Sequence, residues 1–251
     1  MRLCHRLVQA FDQKAQSTEI EILSVGLGYT AVTTTDGGIG IAYTALGMNK
    51  EGCTVLHGLP ASEGRPASDL LHLITSDNPL HRSVGLATIN ALNSEQALSL
   101  PEDRDNDLLF SHLGITTGTK VAMVGYFGPL VSKLRDMGAE VEIIDTGRAL
   151  GDAQSFSFAL SSWAQALILT STSLLNDSTE SILKSLAPGV RTVLLGPSTP
   201  LVAAPFASLH VHVLAGTVPV SKEETLQAIR HGQGTPVLQR FARKPYMLVN
   251  D

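Results

Sequence analysis

Apolar positions recur along this chain in two rhythms, one near the α-helical period and one near the period of a strand. Leu3, Leu7 and Phe11 stand four apart with polar residues such as Arg6, Gln9 and Asp12 elsewhere, which predicts a helix over residues 2–15. From residue 20 to residue 45 the chain turns β-branched and alternating. Asp36, Gly37 and Gly38 lie between the segments 30–35 and 39–43 as the turn of an antiparallel hairpin would. Residues 47–66 carry Gly52, Gly58, Pro60, Gly64 and Pro66, too many breakers for a regular element, and read as a loop packed over a site. Helices are predicted over 68–75 and 81–93. The small residues Gly85, Ala87 and Ala91 of the second suit close packing against a neighbour.

The pattern changes in the second half. Residues 94–118 are polar and acidic and mark a boundary. Beyond them an apolar run at 120–125, a helix at 129–137 stopped by Gly138, and a second run at 140–145 form one βαβ unit. The alternation continues with strands at 166–170, 192–196 and 211–214 and helices at 177–186 and 223–231. This grammar predicts an α/β fold with a doubly wound parallel sheet, preceded by a smaller α+β unit. The domains are drawn at 1–95 and 96–251.

Composition narrows the partners. With 18 basic and 23 acidic residues the formal charge is −5, and 43% hydrophobic against 16% charged residues is ample for a core, which excludes disorder. A mild acidic balance, no basic cluster and 5% aromatic residues argue against nucleic acid as a partner. Gly125, Gly128 and Pro129 interrupt the most apolar run well short of the roughly 18 residues a membrane span needs, so no membrane partner is expected. The first residues lack the apolar core of a secretory signal, and a cytoplasmic location is the expectation. Cys4 and Cys53 supply neither a disulfide framework nor a Cys-x-x-Cys motif.

In open parallel sheets ligands lodge beyond the carboxyl ends of the strands, so the turns after each strand are the places for chemistry. The first turn is Gly125, Tyr126, Phe127, Gly128 and Pro129: glycines admit a ligand close to the backbone, and a helix start offers free N–H groups to an anion. Asp145 falls 20 positions beyond Gly125, where a carboxylate accepts from ribose hydroxyls in nucleoside sites; a solvated aspartate beside a tight turn is the structural alternative. The second turn, 170–180, is dense in hydroxyl and amide groups, with Thr170 at its start. There Asn176 reads first as a helix N-cap and second as a ligand contact. The third turn holds Gly196, then Ser198 between Pro197 and Pro200. His81 reads as a cap or start of its helix, and Tyr29 and Asn90 as core groups with satisfied polar ends. His210 and His212 share a strand face if the strand is regular, but no third ligand stands at a fixed spacing, so no metal site is assigned. No nucleophile elbow, Walker loop or zinc-protease motif is present, and no residue is singled out as catalytic.

Three ordered segments of the second half, 121–131 (VAMVGYFGPLV), 167–179 (LILTSTSLLNDST) and 193–200 (VLLGPSTP), resemble the putative heavy-metal chelation family of prokaryotic proteins. Residues 25–32, 36–40 and 83–91 are similar to the small domain that precedes the chelation domain there. The resemblance covers nearly the whole chain. It implies an enolase amino-terminal-like domain joined to a Rossmann-like domain, with a small-molecule ligand in the cleft between them. On that analogy Gly125, Tyr126, Phe127 and Gly128 border the ligand and Asp145 holds its polar end. Thr170, Asn176, Gly196 and Ser198 line the opposite wall, and Tyr29 and Asn90 close the cleft. The implied activity is synthesis or processing of a pterin-, flavin- or siderophore-like compound. Alternatives are a non-catalytic sensor of a metal chelate or nucleoside, and methyl transfer from S-adenosylmethionine. Direct metal binding through Cys4, His5, Cys53, His210 or His212 ranks last. The cofactor is left unknown, and a homodimer is the commonest closed assembly for such a protein.

Overall fold

The computed structural model describes residues 1–46, 56, 59 and 61–249. Most of the loop expected at 47–66, with Cys53, lies outside the described residues.

The chain begins with α1 (Leu3–Ser17), whose buried stripe of Leu3, Leu7, Val8, Phe11 and Ala15 follows from its period. Strands β1 (Ile20–Val25), β2 (Tyr29–Thr34) and β3 (Ile39–Tyr43) form an antiparallel sheet in that order, with β2 and β3 joined at the expected turn. The short α2 (Ser68–Leu71) runs on into a 3-10 turn, and α3 (Pro79–Leu92) is capped by Asn78, whose Oδ1 accepts the Leu80 N–H at 2.9 Å. Every β2 residue is buried. One face, with Val32 and Ala42, packs on α1 and α3; the other, with Tyr29, Ala31 and Ile41, meets Leu226 and Ile229 of a later helix. Gly40 lies so close to α3 that a Cβ there would overlap the Ala87 carbonyl and the Ala91 amide.

The segment 94–118 is more regular than its polarity suggests. It holds α4 (Ser94–Leu98) and α5 (Asp107–His112), and Leu109 and Phe110 of α5 are buried beneath the large sheet. That sheet contains β4 (Lys120–Val124), β5 (Glu140–Ile144), β6 (Ala166–Thr170), β7 (Arg191–Leu195) and β8 (Val213–Ala215), all parallel. Between them lie α6 (Gly128–Asp136), α7 (Ala153–Phe158), which continues into a π-helical turn, and α8 (Thr179–Lys184). The two-residue β9 (Val218–Pro219), α9 (Lys222–Arg230), α10 (Thr235–Leu238) and β10 (Ala242–Arg243) lead to β11 (Tyr246–Leu248), which adds antiparallel to β8. The order is β11-β8-β7-β6-β4-β5.

The fold is therefore mixed α/β, with one mainly parallel sheet, a small three-stranded antiparallel sheet and the two-stranded antiparallel pair β9–β10. Side-chain alternation shows that helices cover both faces of the large sheet. Val121, Met123, Ile168 and Val193 face α5 and α6. Ala122, Leu167, Leu169 and Leu194 belong instead to a cluster that also holds Leu7, Phe11, Val84 and Leu86 of the first half.

Overpacking a tight contact of this kind costs about 1–3 kcal/mol. Gly40→Ala is expected to lose about 3 kcal/mol, because both obstacles are backbone atoms, and the shift of the urea midpoint measures it.

Candidate functional site

Counted in chain order, the parallel strands stand 2-1-3-4-5, the flavodoxin-type doubly wound order rather than 3-2-1-4-5-6. From β4 the chain crosses to β5 on one side, and from β6 to β7 on the other. The crevice therefore opens between the carboxyl ends of β4 and β6, at Gly125 and Thr170. Gly125 has φ +86°, and a Cβ there would stand 3.0 Å from the Thr170 Cβ, so glycine is required both by backbone and by space.

Two adjoining cavities occupy this edge. One, of about 860 Å³, lies between Gly125, Asp145, Arg148 and the hydroxyl-bearing turn Thr170, Thr172, Ser173, Asn176 and Ser178. The other, of about 590 Å³, is aromatic, with Tyr29, Tyr43, Tyr126, Phe127 and Tyr246 on its walls beside Gly128, Gly196, Ser198 and Lys244. Tyr43, Tyr126, Phe127, Arg148, Thr170 and Thr172 line both.

Asp145 ends β5 and organises the boundary between the cavities. Its Oδ2 accepts the Tyr126 N–H at 2.9 Å and its Oδ1 the Arg148 N–H at 3.2 Å, while Arg148 Nε stands 3.7 Å from Oδ2. The Arg148 guanidinium lies over the Tyr126 ring, 5.2 Å from its centroid. The carboxylate thus holds the turn after β4 and presents an arginine–tyrosine face to the cleft. Its oxygens take two backbone N–H groups, about half of a carboxylate's accepting capacity.

Tyr29 donates to or accepts from Thr235 Oγ1 at 2.6 Å and meets Tyr43 edge-on at 6.2 Å. Burial raises the Tyr29 phenol above its ordinary value, against the Thr235 bond, so it is protonated at neutral pH. Ser198 is buried, and its Oγ accepts the Tyr43 N–H at 2.8 Å, tying the end of β3 to the turn after β7. Asn90 stands outside both large cavities. Its amide donates to the Ile41 carbonyl at 2.9 Å and the Ser198 carbonyl at 3.4 Å, a staple between the two halves. Asn176 is not the N-cap of α8: that helix begins at Thr179, and Asn176 Oδ1 accepts the Ser178 N–H and hydroxyl at 3.2 and 2.6 Å. The left-handed backbone of Asp177, φ 61°, delays the helix.

The sequence expectations omitted Arg148, Tyr43, Lys244 and Tyr246. Arg148 had a local signal, three residues beyond Asp145 in the same 3-10 turn. Lys244 and Tyr246 belong to a tail of two- and three-residue strands without a readable period.

The fold and the cleft together define an α/β protein with two adjoining hollows at the switch point of a parallel sheet. A family model described as putative heavy-metal chelation, DUF364, matches residues 107–248, and a second with the same description, DUF4213, matches residues 8–93. The chain belongs to the DUF364 putative heavy-metal chelation family. A crystal structure of a DUF364 protein of unknown function from Pyrococcus horikoshii is similar over 98% of this chain and 100% of its own, with TM-score 0.79 and 18% identity. Another, from Desulfitobacterium hafniense DCB-2, is similar over 97% and 98%, with TM-score 0.76 and 19% identity. These likenesses are likenesses of fold. No curated protein matches the chain.

The family description raises the question of a metal. Among the described residues no three His, Cys, Asp or Glu side chains converge. Cys4 and the carboxylates of Asp177 and Glu180 line one small hollow, but Arg2 and Arg82 pair with Asp177, and Arg6 pairs with Glu180. His212 spends Nδ1 on the Thr192 N–H at 3.1 Å, and neither it nor His210 lies in β8. The described donors do not fit a metal ion. Likewise, no helix among the described residues is long and apolar enough to cross a membrane.

Two outcomes are expected. Asp145→Ala frees the Tyr126 amide, so hydrogen exchange there accelerates, with a stability loss of about 1–2 kcal/mol. Burial, Arg191 and His210 lower the His212 pKa below its ordinary 6.5, so the unfolded chain binds the proton more readily. Stability therefore falls as pH drops through 6.5 towards the folded-state value, and His212→Gln flattens that part of the midpoint-against-pH curve.

Proposed function

We propose that this protein binds a small metal-chelating organic molecule of pterin, flavin or siderophore type in the paired cavities and acts on it. Chelation is then a property of the ligand and not of side-chain donors. One observation supports this reading above the others: the Arg148–Tyr126 face stands where the two cavities meet, a surface for a planar, electron-rich, anionic ring. The hydroxyl turn at Thr170 and Thr172 offers donors and acceptors to its polar edge, and the N-terminus of α6 at Phe127 and Gly128 favours negative charge.

A second reading, binding without turnover, is favoured by the state of the acidic groups. Asp145 and Asp103 both hold backbone N–H groups, the latter that of Leu109 at 2.8 Å, and the Tyr29 phenol keeps its proton. Methyl transfer from S-adenosylmethionine ranks lower, since Asp145 is already engaged.

The test is native mass spectrometry of untagged protein followed by identification of any released compound, with fluorescence titration of a pterin, a flavin and a catecholate. A retained or titratable planar chelator is expected. Tyr126→Leu and Arg148→Gln are each expected to weaken its binding about tenfold, the equivalent of about 1.4 kcal/mol, with little change in Tm because both side chains are largely exposed. Absence of binding by all three classes together with a bare native mass overturns the reading. Conversion of the bound compound separates an enzyme from a sensor.

A further inference from the structure

Another hollow, of about 270 Å³, adjoins the aromatic cavity and shares Pro236, Gln239 and Lys244 with it. Its charged residues are Arg104, Arg240, Lys244 and Glu102, three cations to one carboxylate in a chain whose formal charge is −5. From these residues we infer an oxyanion-binding shelf at the outer rim of the cleft, which takes the phosphate or carboxylate tail of the ligand. The identity of the ligand's body rests on the reading above; the shelf itself does not.

The four groups have different duties. Glu102 is occupied with structure: its Oε1 accepts the Lys244 N–H at 3.0 Å and forms an ion pair with Arg104 Nε, also at 3.0 Å, and its Oε2 lies 3.6 Å from Arg243 Nε. The Lys244 amide bond leads the contributions that hold its carboxyl below the ordinary range, so it stays ionised and keeps Arg104 and the Lys244 backbone in place. Lys244 Nζ gives one of its three protons to the Arg104 carbonyl at 3.3 Å and retains two. Arg240 follows α10 in a 3-10 turn, and among the described residues its guanidinium has neither a hydrogen bond nor an ion pair.

An unpartnered guanidinium beside a lysine and a second arginine matches the forked geometry of a phosphate or carboxylate, to which arginine binds through two parallel N–H groups. A concave site focuses this positive field more than a convex one would. Lys244 lines both hollows, so a tail on the shelf leaves the body of the same molecule in the aromatic cavity beside Tyr29 and Tyr246. α10 fixes the spacing of the two compartments, because Thr235 at its start bonds the Tyr29 hydroxyl at 2.6 Å. The substrate class that fits is a planar compound carrying an oxyanionic side chain several bonds from its ring.

The experiment is isothermal titration of the full chain with pyrophosphate and with citrate at low salt. At least one anion is expected to bind, and Arg240→Gln with Lys244→Gln is expected to lower that affinity at least tenfold. Arg135→Gln, on the exposed face of α6, is the control expected to leave it unchanged. Should the double variant fail to fold, Arg240→Gln alone carries the test, since its side chain has no partner to lose. Preference for pyrophosphate identifies a phosphoryl tail, and preference for citrate a carboxylate tail. No binding of either anion, or binding that Arg240→Gln leaves intact or Arg135→Gln reduces equally, overturns the shelf. Anion binding that depends on Arg240 while no planar chelator binds would retain the shelf and remove the reading of the body. Tyr126→Leu is expected to spare anion binding.

Discussion

The hydrophobic cluster shared by the two sheets is the constraint on which the rest of the molecule depends. Leu7 and Phe11 of α1 and Val84 and Leu86 of α3 lie in one contiguous core with Leu167, Leu169 and Leu194 of the large sheet. Each fully buried leucine contributes on the order of 1.5–3 kcal/mol, so neither sheet can rotate against the other without exposing several such side chains. Polar staples then set the register within that contact. Asn93 donates to the Leu201 carbonyl at 2.8 Å, Asn90 reaches the Ser198 carbonyl, and Ser198 accepts the Tyr43 N–H. Tyr29 and Tyr43 consequently stand over the carboxyl edge of the parallel strands at fixed height, and the cleft takes its width from the core rather than from a hinge.

The family description and the described side chains are compatible once the two kinds of chelation are separated. A protein that holds a soft metal ion presents several thiolates, imidazoles or carboxylates at one point. Here the acidic groups near the only described thiol, Cys4, are matched by arginines, and those near the cleft hold backbone amides. What the cleft does present is aromatic surface, hydroxyl groups and the arginine–tyrosine face of Arg148 and Tyr126. On the proposed reading such a lining takes an organic molecule, and metal coordination belongs to that molecule.

Much of this was legible in the sequence where local rhythm and tertiary role agree. The β4 turn, Asp145 and the hydroxyl segment after Thr170 sit at strand ends that hydrophobic runs mark clearly, and the parallel-sheet rule points to those ends. Legibility ended where a residue's role depends on a distant partner. Asn176 carries a capping side chain, but Asp177 bonds Arg82 from α3 and takes a left-handed backbone, which moves the helix start to Thr179. In α5 the acidic surroundings of Leu109 and Phe110 obscured a short helix that only the sheet above it stabilises. Arg148 was missed although its neighbour Asp145 was noted, because the stacking on Tyr126 joins two loops that are adjacent only in space.

The antiparallel strand β11 at the edge of the large sheet has a bearing on how the molecule comes into being. Its residues 246–248 pair with β8, and the Tyr246 N–H bonds back to the Pro101 carbonyl at 3.0 Å, so this segment closes contacts made across more than half of the sequence. During synthesis the strands of the parallel sheet leave the ribosome before it, and their cleft lacks the Lys244 and Tyr246 wall until the tail docks. Loop closure over that distance is slow relative to local helix and hairpin formation. Tyr246 and Leu248 also pack against the core beneath the sheet, so the same docking event completes that core and the Lys244 and Tyr246 wall of the cleft together.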